Sequence, residues 1–422
     1  MGADVNNITH DLSCRSSPLI GACTRGHLPI VTLLINEGAD VDQTTDIYSP
    51  LISACEGGHL PIVTLLIDKG ADVDQTTDIY SPLISACKGG HLPIVTLLID
   101  KGADVNQPTD WYSPLISACD CGHLPIVNLL IDKGVDVNQT TGHSSPLISA
   151  FQGGNEAIVT LMIAKGADVN HTTNACSPLI SACKGGLLPI VTLMIDKGAD
   201  VNQAINMYSP LISACNGGHL PIVSLLIDKG ADVNQPTEWY SPLISACDRG
   251  HLPIVTLMID KGADVNRVIN MYSPLISACK EGHLSIVTLL IDKGADVNQP
   301  TDWYSPLISA CDRGHLPIVT LLIDNGADVN LSTNKYSPLI SACKGGHLPI
   351  VTLLIDEGAD VNQTTDMYSP LISACEGGHL PIVTLLIDEG ADVNQTTDFY
   401  SPLISACEGG NILIVTSLID EG

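Results

Sequence analysis

Apolar residues fall along this chain in two short clusters separated by glycine, and the pair of clusters recurs every 32 residues. Residues 48–78 show one period. Ser49-Pro50 opens a helix: a hydroxyl able to cap, then proline at the first helical position. Leu51, Ile52, Ala54 and Cys55 give this short helix an apolar face. Gly57-Gly58 ends it, because glycine accepts the left-handed conformation that a helix terminus needs. His59-Leu60-Pro61 opens a second helix, again with proline in the first turn. Ile62, Val63, Leu65, Leu66 and Ile67 keep the helical spacing. Lys69-Gly70 closes it, with a cation near the negative end of the dipole. The polar stretch from Ala71 to Asp78 then runs out and back as an extended finger to the next Ser-Pro.

Prolines at 18, 50, 82, 114, 146, 178, 210, 242, 274, 306, 338, 370 and 402 mark thirteen copies of this unit, with no insertion or deletion between them. Such a period means a solenoid of stacked units in place of one globular core. Neither helix is long enough to be stable alone, so each must bury its face on the next copy. The pattern predicts an all-α helix-turn-helix solenoid with short fingers, elongated and curved. Residues 18–422 are the tandem repeats. Residues 1–17 are the tail of a partial repeat and a first loop four residues longer than the others.

Composition narrows the function. Apolar residues are 45% of the chain and charged ones 15%, which is not a disordered composition. Aromatic content of 4% leaves the packing to Leu, Ile, Val, Ala and Cys. A net charge of −28 repels phosphate backbones and argues against nucleic acid. It suits either solubility or a basic protein partner, above all from Gly345 to Gly422, where there is no Lys or Arg. The apolar runs are far too short to span a bilayer, and the start carries no targeting signal.

Twelve of the fifteen cysteines share one column, from Cys23 to Cys407, with Phe151 in the thirteenth place. Equivalent positions of stacked helices sit about 8–10 Å apart, beyond the roughly 7 Å that a disulfide allows. The column therefore reads as buried thiols acting as small hydrophobes, which favours a reducing, cytoplasmic setting. Cys14, Cys121 and Cys176 lie outside it, and Cys121 is expected to react most readily.

Pro-Leu, Ala-Cys, Gly-His, Ile-Val, Leu-Leu and Gly-Ala-Asp-Val-Asn in this order resemble the ankyrin repeat over residues 18–422. Two features depart from the family. Ser-Pro-Leu-Ile stands where the family has Thr-Pro-Leu-His, and the finger is one residue shorter than usual and lacks its glycine. The resemblance implies binding of a protein partner on the concave surface formed by the fingers and the ends of the first helices, with no enzymatic activity and no cofactor.

Candidate chemistry is sparse. Ten histidines follow the glycine of the helix–helix turn, from His27 to His379. One per layer cannot converge on a zinc ion that needs nitrogens at about 2.0–2.1 Å, so hydrogen bonds that stabilise the turn are expected. All ten tyrosines stand two residues before the proline, from Tyr48 to Tyr400, either packed at the finger base or forming an aromatic ladder toward a ligand. Asp68, Asp100 and Asp132 read as a solvated helix face, since calcium wants roughly six to eight converging oxygens. No Gly-rich phosphate cradle and no paired nucleophile and base stand out from the copies.

Differences between copies are more informative. They concentrate three residues before the proline: Ile47, Ile79, Trp111, His143, Ala175, Met207, Trp239, Met271, Trp303, Lys335, Met367 and Phe399. They also concentrate where the first helix closes, as at Asp120-Cys121, Asp248-Arg249 and Asp312-Arg313. Trp, Met and Arg are favoured at binding hot spots. Trp111, Trp239 and Trp303 are the expected anchors, flanked by Ile47, Ile79, Met207, Met271, Met367, Phe399 and those Asp and Arg residues. Drift after duplication is the competing explanation.

The ends carry weak polar caps. Ala3 and Val5 belong to a repeat tail, and Ile412, Leu413, Ile414, Leu418 and Ile419 form an apolar last helix. Nearly complementary ends raise an alternative function: head-to-tail assembly into a filament or ring.

Overall fold

Each Ser-Pro opens a helix for the reason read from the sequence. In the helix Pro50–Glu56, Ser49 Oγ accepts the N–H of Ile52 at 3.2 Å. The second helix, Leu60–Asp68, starts at His59 without a side-chain cap and carries proline in its first turn. Gly58 and Gly70 end the two helices at φ 73° and 94°. The structure is a computed structural model and describes residues 4–8, 16–142, 144–172 and 177–421. Ala3, Cys14, His143, Ala175 and Cys176 lie outside the described residues.

Among the described residues the chain forms 26 helices and no strand. They belong to two compact units, Met1–Asp200 and Val201–Gly422. The first holds the helices from Pro18–Thr24 to Leu188–Asp196, and the second those from Pro210–Asn216 to Ile412–Glu421. Within each unit, first helices lie on first helices of the next repeat, as Pro50–Glu56 lies on Pro82–Gly89 and Pro306–Arg313 on Pro338–Gly345. Second helices do the same, Leu60–Asp68 against Leu92–Asp100. Leu51, Ile52, Ala54, Cys55, Ile62, Val63 and Leu66 are buried in this way, as are their counterparts in the other interior repeats except the half-buried Phe151. Burial of each such Leu or Ile contributes about 1.5–3 kcal/mol relative to exposure.

Polar side chains bridge the junctions. His315 Nε2 lies 3.2 Å from the carbonyl of Lys280 in the preceding repeat, and His91 Nε2 lies 3.0 Å from that of Glu56. A carbonyl only accepts, so these nitrogens carry the proton. The histidines thus act in turns, as expected, but the partner is the neighbouring copy. Gln299 Nε2 donates to the carbonyl of Asn266 at 2.8 Å. Along the exposed helix ends, Asp68, Asp100 and Asp228 meet Lys101, Lys133 and Lys261 of the next repeat at 3.8, 3.6 and 3.4 Å. These three members of the Asp column are paired across repeats, which their spacing alone did not reveal.

The fingers are tight turns. Thr333 N–H donates to the carbonyl of Tyr336 at 2.8 Å, and its Oγ1 donates to the carbonyl of Trp303 in the previous finger at 3.1 Å. Two fingers differ because Ile replaces this threonine. Ile205 and Tyr208 exchange N–H···O bonds of 2.8 and 2.9 Å, as Ile269 and Tyr272 do at 2.9 and 3.0 Å. Asn206 and Asn270 take φ 52° and 53° to close these turns, a conformation that Asn tolerates well. Asn270 Nδ2 donates to the carbonyl of Glu238, so the bond between fingers survives the loss of threonine.

The last repeat corrects two expectations. Ile414 and Leu418 are buried, as counterparts of Ile62 and Leu66, and do not belong to an assembly surface. Cys407 is exposed although it stands in the cysteine column, whereas Cys55, Cys87, Cys119 and Cys279 are buried. At the other end, the tail residue Asn6 accepts the N–H of Asp40 at 2.8 Å and donates to the carbonyl of Gly38 at 3.2 Å. Val5 is half-buried there.

Candidate partner-binding surface

The threonine-anchored turn fixes where each fingertip points. Trp111 is 51% exposed, and Trp239 and Trp303 are 40% exposed. Ile47, Met207 and Phe399 are also exposed, while Ile79, Met271 and Met367 are half-buried. The fingertip column is therefore uneven, and the tryptophans and Phe399 are its exposed aromatic members. Lys335 Nζ lies 4.1 Å from the ring centroid of Trp303, so this indole already holds a cation of its own chain. Beside Trp111 the next finger carries Gly142, and an open depression is lined by Asp110, Trp111, Thr141 and Gly142.

Behind the fingertips the tyrosines stack. Tyr80 and Tyr112 have ring centroids 6.1 Å apart and planes 12° from parallel, and Tyr368 and Tyr400 are 6.3 Å apart at 7°. Apart from Tyr208, which is 37% exposed, the rings are half-buried at the finger base, which favours packing, with one face left for cations. Lys88 Nζ donates to Tyr80 Oη at 2.7 Å. Lys344 Nζ stands 4.6 Å from the Tyr368 ring and 6.0 Å from that of Tyr336. This lysine–tyrosine pattern was missed in the sequence, although Lys88, Lys280 and Lys344 stand eight residues after a tyrosine.

Several first helices also end on charged residues. Asp120, Asp312 and Arg313 are exposed, and Arg313 Nε lies 3.5 Å from Asp312 Oδ2. Arg249 Nε donates to Asn216 Oδ1 at 2.7 Å and lies 3.6 Å from Asp248 Oδ2. Arg313 is thus held by its own repeat, and Arg249 by its own and the preceding one. Asp248 is half-buried, and its carboxyl is held above the ordinary range, first by burial and then by Glu281. A cavity of about 230 Å³ lies between it and the Met207 finger.

Cys121 is exposed, but burial of its sulfur and the charge of Asp120 raise its pKa, so exposure alone favours its reaction. Among the described residues no three His, Cys, Asp or Glu side chains converge as a metal site. Nor is any described helix long and apolar enough to cross a membrane.

A family model described as "Ankyrin repeats (3 copies)" matches residues 1–77, 75–141, 140–205, 203–269, 275–365, 331–397 and 363–422. The chain belongs to the ankyrin repeat family. Ankyrin repeats generally mediate protein–protein interaction and typically have no enzymatic activity. Among solved structures, the human ASB11 ankyrin repeat domain is similar, at 28% identity and a TM-score of 0.46. The match covers 51% of this ankyrin chain and 98% of that domain. No curated protein matches it.

Proposed function

We propose that this chain is a non-enzymatic scaffold that binds a protein partner through its fingers and first-helix ends, with Trp111, Trp239 and Trp303 as anchors. The observation that carries this reading is the exposure of three tryptophans, at 51%, 40% and 40%, on fingers pinned by backbone bonds. A rigid aromatic presented in this way loses little entropy on binding. The charge of −28 favours a basic partner and speeds its encounter at low salt. Buried thiols without disulfides support a reducing, cytoplasmic setting. The test is capture from extract by the wild-type chain and by the triple Trp→Ala variant, followed by titration of whatever is captured. Each change should weaken binding by about 2 kcal/mol or more. A partner retained with equal affinity by the triple variant would overturn the reading.

A second reading, head-to-tail assembly, has its own observation. Leu403 and Ile404 are 40% and 49% exposed, where their counterparts Leu51 and Ile52 are fully buried by the next repeat. Ile412, Leu413 and Ile419 are exposed beside them, and Ile30 and Leu33 are exposed on the first repeat. Light scattering across a concentration series tests this. Mass that grows with concentration and returns to monomer in Ile404→Glu supports assembly, and a constant monomer mass refutes it.

A further inference from the structure

Two fingers share the sequence Ile-Asn-Met-Tyr and the same turn, at 205–208 and 269–272. What lies beneath them differs. Under the second, Lys280 extends from the helix Pro274–Glu281 and places Nζ 5.5 Å from the centroid of the Tyr272 ring. Under the first, the corresponding residue is Asn216, whose side chain is too short to reach the ring. There the cavity of about 230 Å³ opens, bounded by Met207, Tyr208, Asn216, Tyr240, Asp248 and Arg249.

The same column shows elsewhere what these tyrosines hold. Lys88 Nζ is 4.6 Å from the Tyr80 ring and bonded to its hydroxyl. Lys344 Nζ faces both Tyr336 and Tyr368, which are the counterparts of Tyr208 and Tyr240. Ring faces attract the ammonium, and apolar surface takes the methylene stem. Among the described residues, Lys88, Lys280 and Lys344 show this placement, and Asn216 holds the same position between Tyr208 and Tyr240.

We propose that the cavity at Asn216 receives a lysine side chain of the protein partner, placed as Lys88, Lys280 and Lys344 are placed in their own repeats. This inference rests on the scaffold reading and names its chemistry. Arg249 is already engaged by Asn216 and Asp248, so its charge is partly offset. Around Asp248, Glu281 adds a negative group, and Lys280 and His283 stand with Arg249 on the positive side. An incoming ammonium would favour the charged form of Asp248, which burial disfavours.

The test uses the full chain with ring-labelled tyrosine and three blocked peptides: Gly-Lys-Gly, Gly-Arg-Gly and Gly-norleucine-Gly. The lysine peptide should shift the Tyr208 and Tyr240 ring signals saturably, and the uncharged norleucine peptide should not. Asn216→Lys fills the cavity with the chain's own ammonium and should weaken the response about tenfold. The arginine peptide measures selectivity, and a tighter fit for it overturns the assignment to lysine. So do an equal response to norleucine, no response to lysine, or a response unchanged by Asn216→Lys. The two readings fail separately. A partner lost on Trp111→Ala but held unchanged by Asn216→Lys keeps the scaffold and removes the lysine site. A lysine-specific response in a chain whose partner ignores all three tryptophans keeps the site and removes the tryptophan anchors.

Discussion

Asn298 Oδ1 accepts the backbone N–H of Asp328, one repeat further on, at 2.8 Å. The same side chain donates through Nδ2 to the carbonyl of Gly326 at 2.9 Å. Both backbone groups lie just past the end of a helix, where the chain offers them no intrahelical partner. Asn298→Ala removes both bonds and should cost about 1–3 kcal/mol at that junction. Asn298→Asp should cost less, because Asp42 and Asp74 already show a carboxylate accepting the N–H of Asp72 and Asp104 at 2.9 Å. Hydrogen exchange at Asp328 reads the effect, and protection unchanged by Asn298→Ala would contradict it.

The cysteine column makes the fold sensitive to alkali. Burial raises Cys23 and Cys183 from 9.0 to about 12, and pushes Cys55, Cys247 and Cys311 well above 9.0. Above pH 9 the unfolded chain releases these protons while the folded chain keeps them. The unfolded state then binds fewer protons, so stability is full below that pH and falls as pH rises toward the folded values. Each such thiol steepens the fall by up to about 1.4 kcal/mol per pH unit. The denaturant midpoint should hold near neutrality and drop above about pH 9, and Cys247→Ala should blunt the drop. A flat midpoint through that range would sink the argument.

Accessibility, by contrast, orders the reaction of thiols at neutral pH. An alkylating agent should label Cys121 and Cys407 in the folded protein before Cys55, Cys87 or Cys279. Peptide mapping by mass spectrometry after short exposure checks the order. Early label on the buried column would mean that the repeats open far more readily than their packing implies.

Gly58 and Gly70 separate two costs of a side chain. Both have positive φ, 73° and 94°, so alanine at either is strained by about 1–2 kcal/mol. A Cβ at Gly70 meets nothing within 4 Å, whereas one at Gly58 would fall 2.5 Å from the His91 ring. Gly58→Ala should therefore be the more harmful, and His91→Ala should recover part of the difference. Equal losses at the two glycines, measured by chemical denaturation, would show that the contact with His91 carries no weight.

Much of the fold was legible because helix starts and stops are local. Ser49, Pro50 and Gly58 act on their own turns, and a single copy announces them. The bonds of Asn298 and His315 were not legible, because periodicity shows which residues recur and not which copy they touch. The tryptophans stood out as departures from a column, and they are exposed. Asn216 did not stand out, since a short polar residue at a helix end is unremarked until Lys280 is seen filling the equivalent space. Ile414 and Leu418 misled because the apolar spacing of the last helix is the same whether a side faces solvent or its own repeat.

The junction bonds connect residues 28, 30, 33 or 35 positions apart, and the same residue types recur on both sides. Removing residues 267–298 would leave Asn266 where Asn298 was, ready to accept from Asp328. Unequal recombination could thus shorten or lengthen the array by whole periods without spoiling a junction. Array length is then cheap to change over generations. Selection for a particular partner would have to act on the order of the odd members, such as the succession of Asn216, Asp248 and Lys280 along one edge.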